Sequence, residues 1–171
     1  VKEKSILIIL AAENFNEIEF LSVKETFERA GFKIFIASDA ENLCIGSKGL
    51  RIKPDVKFYN MKAINFNGAI IIGGKGIENY KQNLIVHNLL KDFQRQGKPI
   101  GAICIAPIVL ARAKVLENGR AVCFPPYRNE LEREGIEFID RPIVRFKKVL
   151  TARDFLDSDE FATAFIYLLN N

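Results

Sequence analysis

Residues 5–11 read SILIILA, apolar at consecutive rather than alternate positions. A strand with that pattern is covered on both faces, as in a parallel sheet with helices above and below it. Three further segments of strand length follow: 32–38 (FKIFIAS), 69–72 (AIII) and 99–103 (PIGAI). Helical segments separate them. Residues 17–30 carry Ile18, Leu21, Phe27 and Ala30 near helical spacing, with Gly31 placed as a C-cap. Residues 77–82 and 84–96 also read as helical, closed by Gly97. The opening is a βαβ unit, whose crossover is right-handed. The fold class is α/β: a three-layer arrangement with a mostly parallel sheet and helices on both faces. A length of 171 residues is simplest as one domain over 1–171.

The rest of the chain is read in the same way. Residues 13–16 form a polar turn. Residues 43–45 and 50–52 flank Gly46-Ser47-Lys48-Gly49 as a small hairpin beside the main sheet, ended by Pro54. Residues 61–66 read as a single helical turn. Residues 121–124 form a strand stopped by Pro125-Pro126, and 127–134 a charged helix. Residues 137–139, 143–146 and 149–151 are short strands. A last helix over 160–169 follows N-cap acids at Asp157-Ser158-Asp159.

A net charge of +4, with cations and acids interspersed, argues against nucleic-acid binding. The local excess of cations from Arg141 to Arg153 reads as a solvated hairpin. No apolar run approaches the ~20 residues of a membrane span, so no membrane partner is expected. No signal-peptide pattern is present, and a reducing, cytoplasmic setting is expected. The three cysteines, Cys44, Cys104 and Cys123, are too widely spaced for a disulfide framework or zinc motif. No metal or other cofactor is expected.

The chemistry centres on residues 98–113, KPIGAICIAPIVLARA: a buried strand, a sharp turn at Cys104, then a helix over 105–113. Ala102 and Ala106 are small, as a strained strand-to-helix elbow requires. Unpaired N–H groups at a helix start favour negative charge and draw a thiol toward thiolate. The other reading is an inert core cysteine packed as a small hydrophobe. Gly73-Gly74-Lys75-Gly76 lacks the spacing of a phosphate loop or a dinucleotide fingerprint. These glycines instead let backbone N–H groups approach a site and serve as oxyanion donors. His87 falls within a helix and reads as a surface or interface residue. Ligand sites in such sheets lie at the carboxyl ends of strands. The 13–19 turn, Gly73-Gly74, Cys104 and Cys123 all fall at such ends.

The elbow GAICIAP, the strand ending in Gly-Gly, the acidic start of the first helix (ENFNEIEF) and the late TARDF segment together resemble the DJ-1/ThiJ/PfpI superfamily. The resemblance covers nearly the whole chain. It implies a flavodoxin-like fold, usually dimeric or of higher homo-oligomeric order, with Cys104 as the reactive cysteine. Glu19 matches the family glutamic acid beside the thiol, which is protonated and donates to sulfur. The N–H groups of Gly74 and Ile105 match the oxyanion-type donors, with Gly73 supporting them, and Arg153 an arginine near the site. Glu78 matches a glutamate that a partner subunit lends to a histidine in peptidase-like members. That histidine would follow the cysteine; here the position is Ile105, so Glu78 has nothing to orient. The histidine of glyoxalase- and deglycase-type members is replaced by Phe124.

Three functions follow from this reading. The first is attack of Cys104 on a small carbonyl compound with Glu19 as acid/base. The second is a redox protein in which peroxide oxidises Cys104, with Cys123 as a candidate resolving thiol. The third is a non-catalytic dimeric family member. The missing histidines weigh against a PfpI-like cysteine peptidase or an amidase-type hydrolase.

Overall fold

The computed structural model describes residues 3–171. The first apolar run becomes β1 (Ser5–Ile9), buried along its whole length. Then follow β2 (Glu13–Phe15), α1 (Glu17–Arg29), β3 (Lys33–Ser38), β4 (Cys44–Gly46), β5 (Arg51–Ile52) and β6 (Val56–Lys57). The middle of the chain forms β7 (Gly68–Ile71), α2 (Leu84–Arg95), β8 (Ile100–Ile103) and α3 (Pro107–Arg112). It closes with β9 (Arg120–Ala121), α4 (Arg128–Arg133), β10 (Glu137–Phe138), β11 (Ile143–Phe146), β12 (Val149–Ala152) and α5 (Ser158–Asn170).

Seven strands form the main sheet in the order β11-β12-β8-β7-β1-β3-β6. Every pairing is parallel except β11 with β12. Helices α1 and α5 pack together against one face, and α2 with α3 against the other. This is the flavodoxin-like α/β arrangement expected from the doubly apolar runs. Close approach of α5 depends on glycine. A side-chain carbon on Gly101 would lie 2.8 Å from Phe161 Cζ and 2.9 Å from Phe165 Cε2. Phe165 is fully buried and meets Phe27 of α1 at 5.9 Å between ring centroids, locking the α1–α5 layer to the sheet.

Several local expectations are corrected. The polar turn at 13–16 holds a strand: β2 pairs in parallel with β4, and the predicted β4–β5 hairpin completes a three-stranded sheet. The single turn expected at 61–66 is the 3-10 turn Ala63–Asn65, and an unpredicted one, Phe58–Asn60, precedes it. The helix expected over 77–82 is a 3-10 turn, Lys75–Tyr80. The strand at 121–124 is only β9, which leaves the main sheet and pairs with β10. Residues 125–127 form a 3-10 turn ahead of α4. The hairpin at 141–153 is solvated on one strand only, because β12 is buried against β8. Among the described residues, no helix is long and apolar enough to cross a membrane.

Truncation of Phe165 to alanine removes a fully buried ring and leaves a void between α1, α5 and β8. Phe165→Ala is expected to cost about 3–5 kcal/mol. Urea denaturation reads this as a lower midpoint at an unchanged slope.

Candidate active site

The chain leaves β1 toward β3 on one side, while β7 and β8 fill the sheet on the other. Such a switch point opens a crevice at the strands' carboxyl ends. Three segments meet there: the start of α1 after β1, the glycines after β7, and Cys104 after β8.

Cys104 has a left-handed backbone, φ 64°, which is strained for a residue with a side chain. Two hydrogen bonds hold it. Its N–H donates to Ala152 O on β12 at 3.0 Å, and its carbonyl accepts from Phe124 N–H at 2.8 Å. Cys104 as a whole is 8% exposed. Backbone N–H groups of Ile105 and Gly74 donate to the thiol and favour the thiolate, but they do not prevail. Burial and the facing Glu19 carboxyl push its pKa well above that of a free thiol. The expected thiolate is thereby corrected. Helix α3 starts only at Pro107 and has six residues, so its first residue is three beyond Cys104 and its dipole is small.

Glu19 has no exposed surface. Asn16 caps α1, its side-chain oxygen accepting from Glu19 N–H at 3.0 Å. In an ordinary capping box the glutamate would reach back to the cap's own N–H. Here that N–H donates to Gly73 O at 3.0 Å, and Gly73 N–H donates to Glu19 Oε2 at 2.8 Å. The Gly73 peptide is thus gripped on both sides by the first turn of α1. A side-chain carbon at Gly73 would lie 2.7 Å from Cys104 Cβ and 2.8 Å from Glu19 Oε2, so only glycine lets carboxyl and cysteine meet. Gly74, at φ 106°, turns the chain so that its N–H faces the thiol.

Burial raises the Glu19 pKa to about 8. The Gly73 N–H and the thiol pull it down by less, and the charge of Asp154 adds to the rise. Glu19 is therefore mostly protonated at neutral pH. Oε2 is occupied as an acceptor, which leaves Oε1 to carry the proton. Oε1 is buried, and besides the Gly73 N–H the neighbouring Cys104 thiol is the group that hydrogen-bonds the carboxyl.

The other predicted residues are placed differently. Arg153 follows β12, but its guanidinium turns to Asp140 (3.4 Å) and Asp157 (3.7 Å) rather than to the thiol. Glu78 accepts a short hydrogen bond from the Tyr127 hydroxyl of the same chain. His87 is buried, not on the surface, and its Nε2 lies 2.8 Å from Lys81 O. Cys123 is fully buried, its pKa pushed up to about 12, first by burial and then by the charges of Glu130 and Glu132. Cys44 lies in β4, also buried. Phe124 is at the rim of the elbow, its ring 6.4 Å from that of Tyr127. Sequence reasoning missed Tyr127, Asn16 and Asp154. Only Asn16 had a local signal, the Asn-x-x-Glu spacing of a capped helix. Among the described residues, no cluster of His, Cys, Asp or Glu is arranged to hold a metal ion. An apolar cavity of about 150 Å³ lined by Ile100, Val115, Phe146 and Val149 lies at the opposite ends of β8 and β12, away from the thiol.

Comparison with known proteins agrees with this architecture. Residues 4–168 match the DJ-1/PfpI family, and the chain belongs to it. A solved ThiJ/PfpI domain protein from Brachyspira murdochii superposes with a TM-score of 0.95 at 25% identity, over 99% of this chain and 98% of that one. Glutathione-independent glyoxalase DJR-1.2 of Caenorhabditis elegans is 29% identical over 167 residues, 98% of this chain and 89% of its own length. Deglycase PfpI of Pyrococcus furiosus is 25% identical over 138 residues, covering 81% and 83%.

The Glu19 environment makes stability depend on pH. Below about 4.5 the carboxyl is protonated in both folded and unfolded chains. Between 4.5 and 8 the unfolded chain ionises and the folded one does not. Stability contributed by the neutral carboxyl is thus lost as pH rises, by about 1.4 kcal/mol per pH unit, and levels off above 8. Glu19→Gln cannot titrate. Its unfolding free energy is expected to gain on the native protein between pH 5 and 8, read by urea denaturation at each pH.

Proposed function

We propose that the protein is a carbonyl-stress enzyme whose Cys104 adds to small 2-oxoaldehydes, with Glu19 as the proton carrier. One observation supports this above the rest: a fully buried carboxyl with a pKa near 8 facing a strained elbow thiol. A group that must give a proton and later take one works best when its pKa lies near the operating pH. The names of the glyoxalase and deglycase relatives favour carbonyl chemistry.

In the first step sulfur bonds to the aldehyde carbon. The Glu19 proton passes to the carbonyl oxygen, and the thiol proton passes to the other carboxyl oxygen. The product is a hemithioacetal, and Glu19 ends protonated as it began. Glu19 then releases its proton to water, and the carboxylate takes the hydrogen from the former aldehyde carbon as a proton and returns it to the neighbouring carbon, while the adduct's hydroxyl proton moves to the neighbouring oxygen. The resulting thioester is cleaved by water, giving a 2-hydroxy acid and the free thiol. The N–H groups of Gly74 and Ile105, which face the sulfur, stabilise negative charge on it during exchange. No histidine is required, since one carboxyl serves both proton transfers.

A second reading rests on the same donors: peroxide oxidises the Cys104 thiol to a sulfenic or sulfinic acid, which Glu19 and the backbone N–H groups hold. Methylglyoxal consumption separates the two. Cys104→Ser is expected to abolish it, and Glu19→Gln to lower kcat by about 10²–10⁴. In the native protein kcat falls above about pH 8, as Glu19 loses its proton. Peroxide-dependent mass gain on Cys104 without any methylglyoxal turnover would select the second reading. Turnover equal in Cys104→Ser would overturn the first.

A further inference from the structure

The thiol lies between two banks. The first is the 3-10 turn Lys75–Tyr80, which starts beside Gly74, whose N–H donates to sulfur. The second is the turn Pro125–Tyr127, fastened to the elbow by Phe124 N–H on Cys104 O at 2.8 Å and by Tyr127 N–H on Phe124 O at 2.9 Å. Nothing in the main sheet joins these banks. They are joined by side chains 49 residues apart in sequence: the Tyr127 hydroxyl donates to Glu78 Oε1.

A second tie runs beside the first. Lys81 Nζ, just past the first turn, sits 2.8 Å from Glu130 Oε2 on α4 and 4.0 Å from Glu78 Oε1. It also lies 5.1 Å from the centre of the Tyr127 ring, in cation–π contact. The His87 ring bonds the Lys81 carbonyl from α2, so the first bank is anchored from beneath as well. The hydrogen bond to Glu78 pushes the Tyr127 phenol up to about 12, with the charge of Cys104 among the smaller causes. Cys104 stands at the open end of the sheet, yet only 8% of its surface is exposed.

We propose that the Tyr127–Glu78 hydrogen bond is a strap across the entrance to Cys104, making these two residues determinants of the size of molecule that reaches the thiol. The inference rests on the reading of Cys104 as the reacting group and adds the class of substrate it admits. Slender aldehydes of the methylglyoxal type pass beneath the closed strap. Aryl and branched 2-oxoaldehydes require it to open. The strap is made of side-chain bonds between two turns, so opening it breaks those bonds and leaves the hydrogen bonds of the sheet intact.

The test uses one chemistry at two sizes. N-methylmaleimide and N-phenylmaleimide are both neutral and both add to a thiol at the same ring carbon. Second-order rates of Cys104 labelling, located by peptide mass spectrometry, are measured for the native protein, Tyr127→Phe and Glu78→Gln. Tyr127→Phe keeps the ring and its packing and removes only the hydroxyl. Glu78→Gln removes the charged acceptor from the other bank, so the proposal does not depend on one variant folding.

Tyr127→Phe is expected to speed N-phenylmaleimide labelling about tenfold, as loss of one hydrogen bond to a charged group enlarges the open population, and Glu78→Gln, which leaves a weaker neutral acceptor, by about threefold or more. The N-methylmaleimide rate is expected to change by less than about threefold, since the small reagent does not wait for opening. An unchanged ratio of the two rates in both variants overturns the strap. Because labelling needs no turnover, the outcomes separate. A shifted ratio in a protein that leaves methylglyoxal untouched supports the strap and sinks the proposed activity. Methylglyoxal turnover with an unshifted ratio does the reverse.

Discussion

The contact between the Gly73 peptide and the first turn of α1 decides what kind of site this fold can hold. Asn16 donates to the Gly73 carbonyl, and Glu19 accepts from the Gly73 N–H. Those two bonds pin the end of β7 to the start of α1 and leave a carboxyl wholly out of water. A charged carboxylate there would be costly with one N–H and one thiol for company. The carboxyl therefore keeps its proton, with a pKa near 8. The absence of a side chain at Gly73 lets Cys104 come up against it.

That neutral acid changes how the thiol is understood. An elbow cysteine invites the view that helix N–H groups generate a standing thiolate. In this chain the helix is short and begins too late, while burial and Glu19 oppose ionisation. Sulfur and carboxyl instead act as a coupled pair whose protons belong to both. A pair of that kind holds its thiol in reserve until a carbonyl oxygen is present to take the carboxyl proton. Ile105, next to Cys104, and Phe124, bonded to its carbonyl, bring no titratable side chain to the pair.

The central sheet was legible because consecutive apolar residues report burial on both faces, and the helices between them show their own period. The elbow was legible because its small residues and cysteine are neighbours in sequence. The features that sequence reasoning misread are those with no local cause. Strands β2, β6 and β9 are two or three residues long and exist through pairing with distant partners. Tyr127 read as the start of a charged helix, since nothing near it reveals that Glu78 lies across the entrance. The orientation of Arg153 toward Asp140 and Asp157 likewise comes from how the β11–β12 hairpin folds back. Helix α3 begins later than its apolar pattern because Cys104 adopts a left-handed backbone and the next two residues complete the turn.

A proton held on Glu19 at neutral pH is the claim on which the chemistry stands. Titration of the native protein labelled with carbon-13 at the glutamate carboxyl, followed by NMR and assigned with Glu19→Gln, reads it directly. The account predicts that the Glu19 resonance moves with a midpoint near pH 8. A midpoint near the ordinary 4.5 would mean a carboxylate beside the thiol at neutral pH, with no proton to give, and would contradict it.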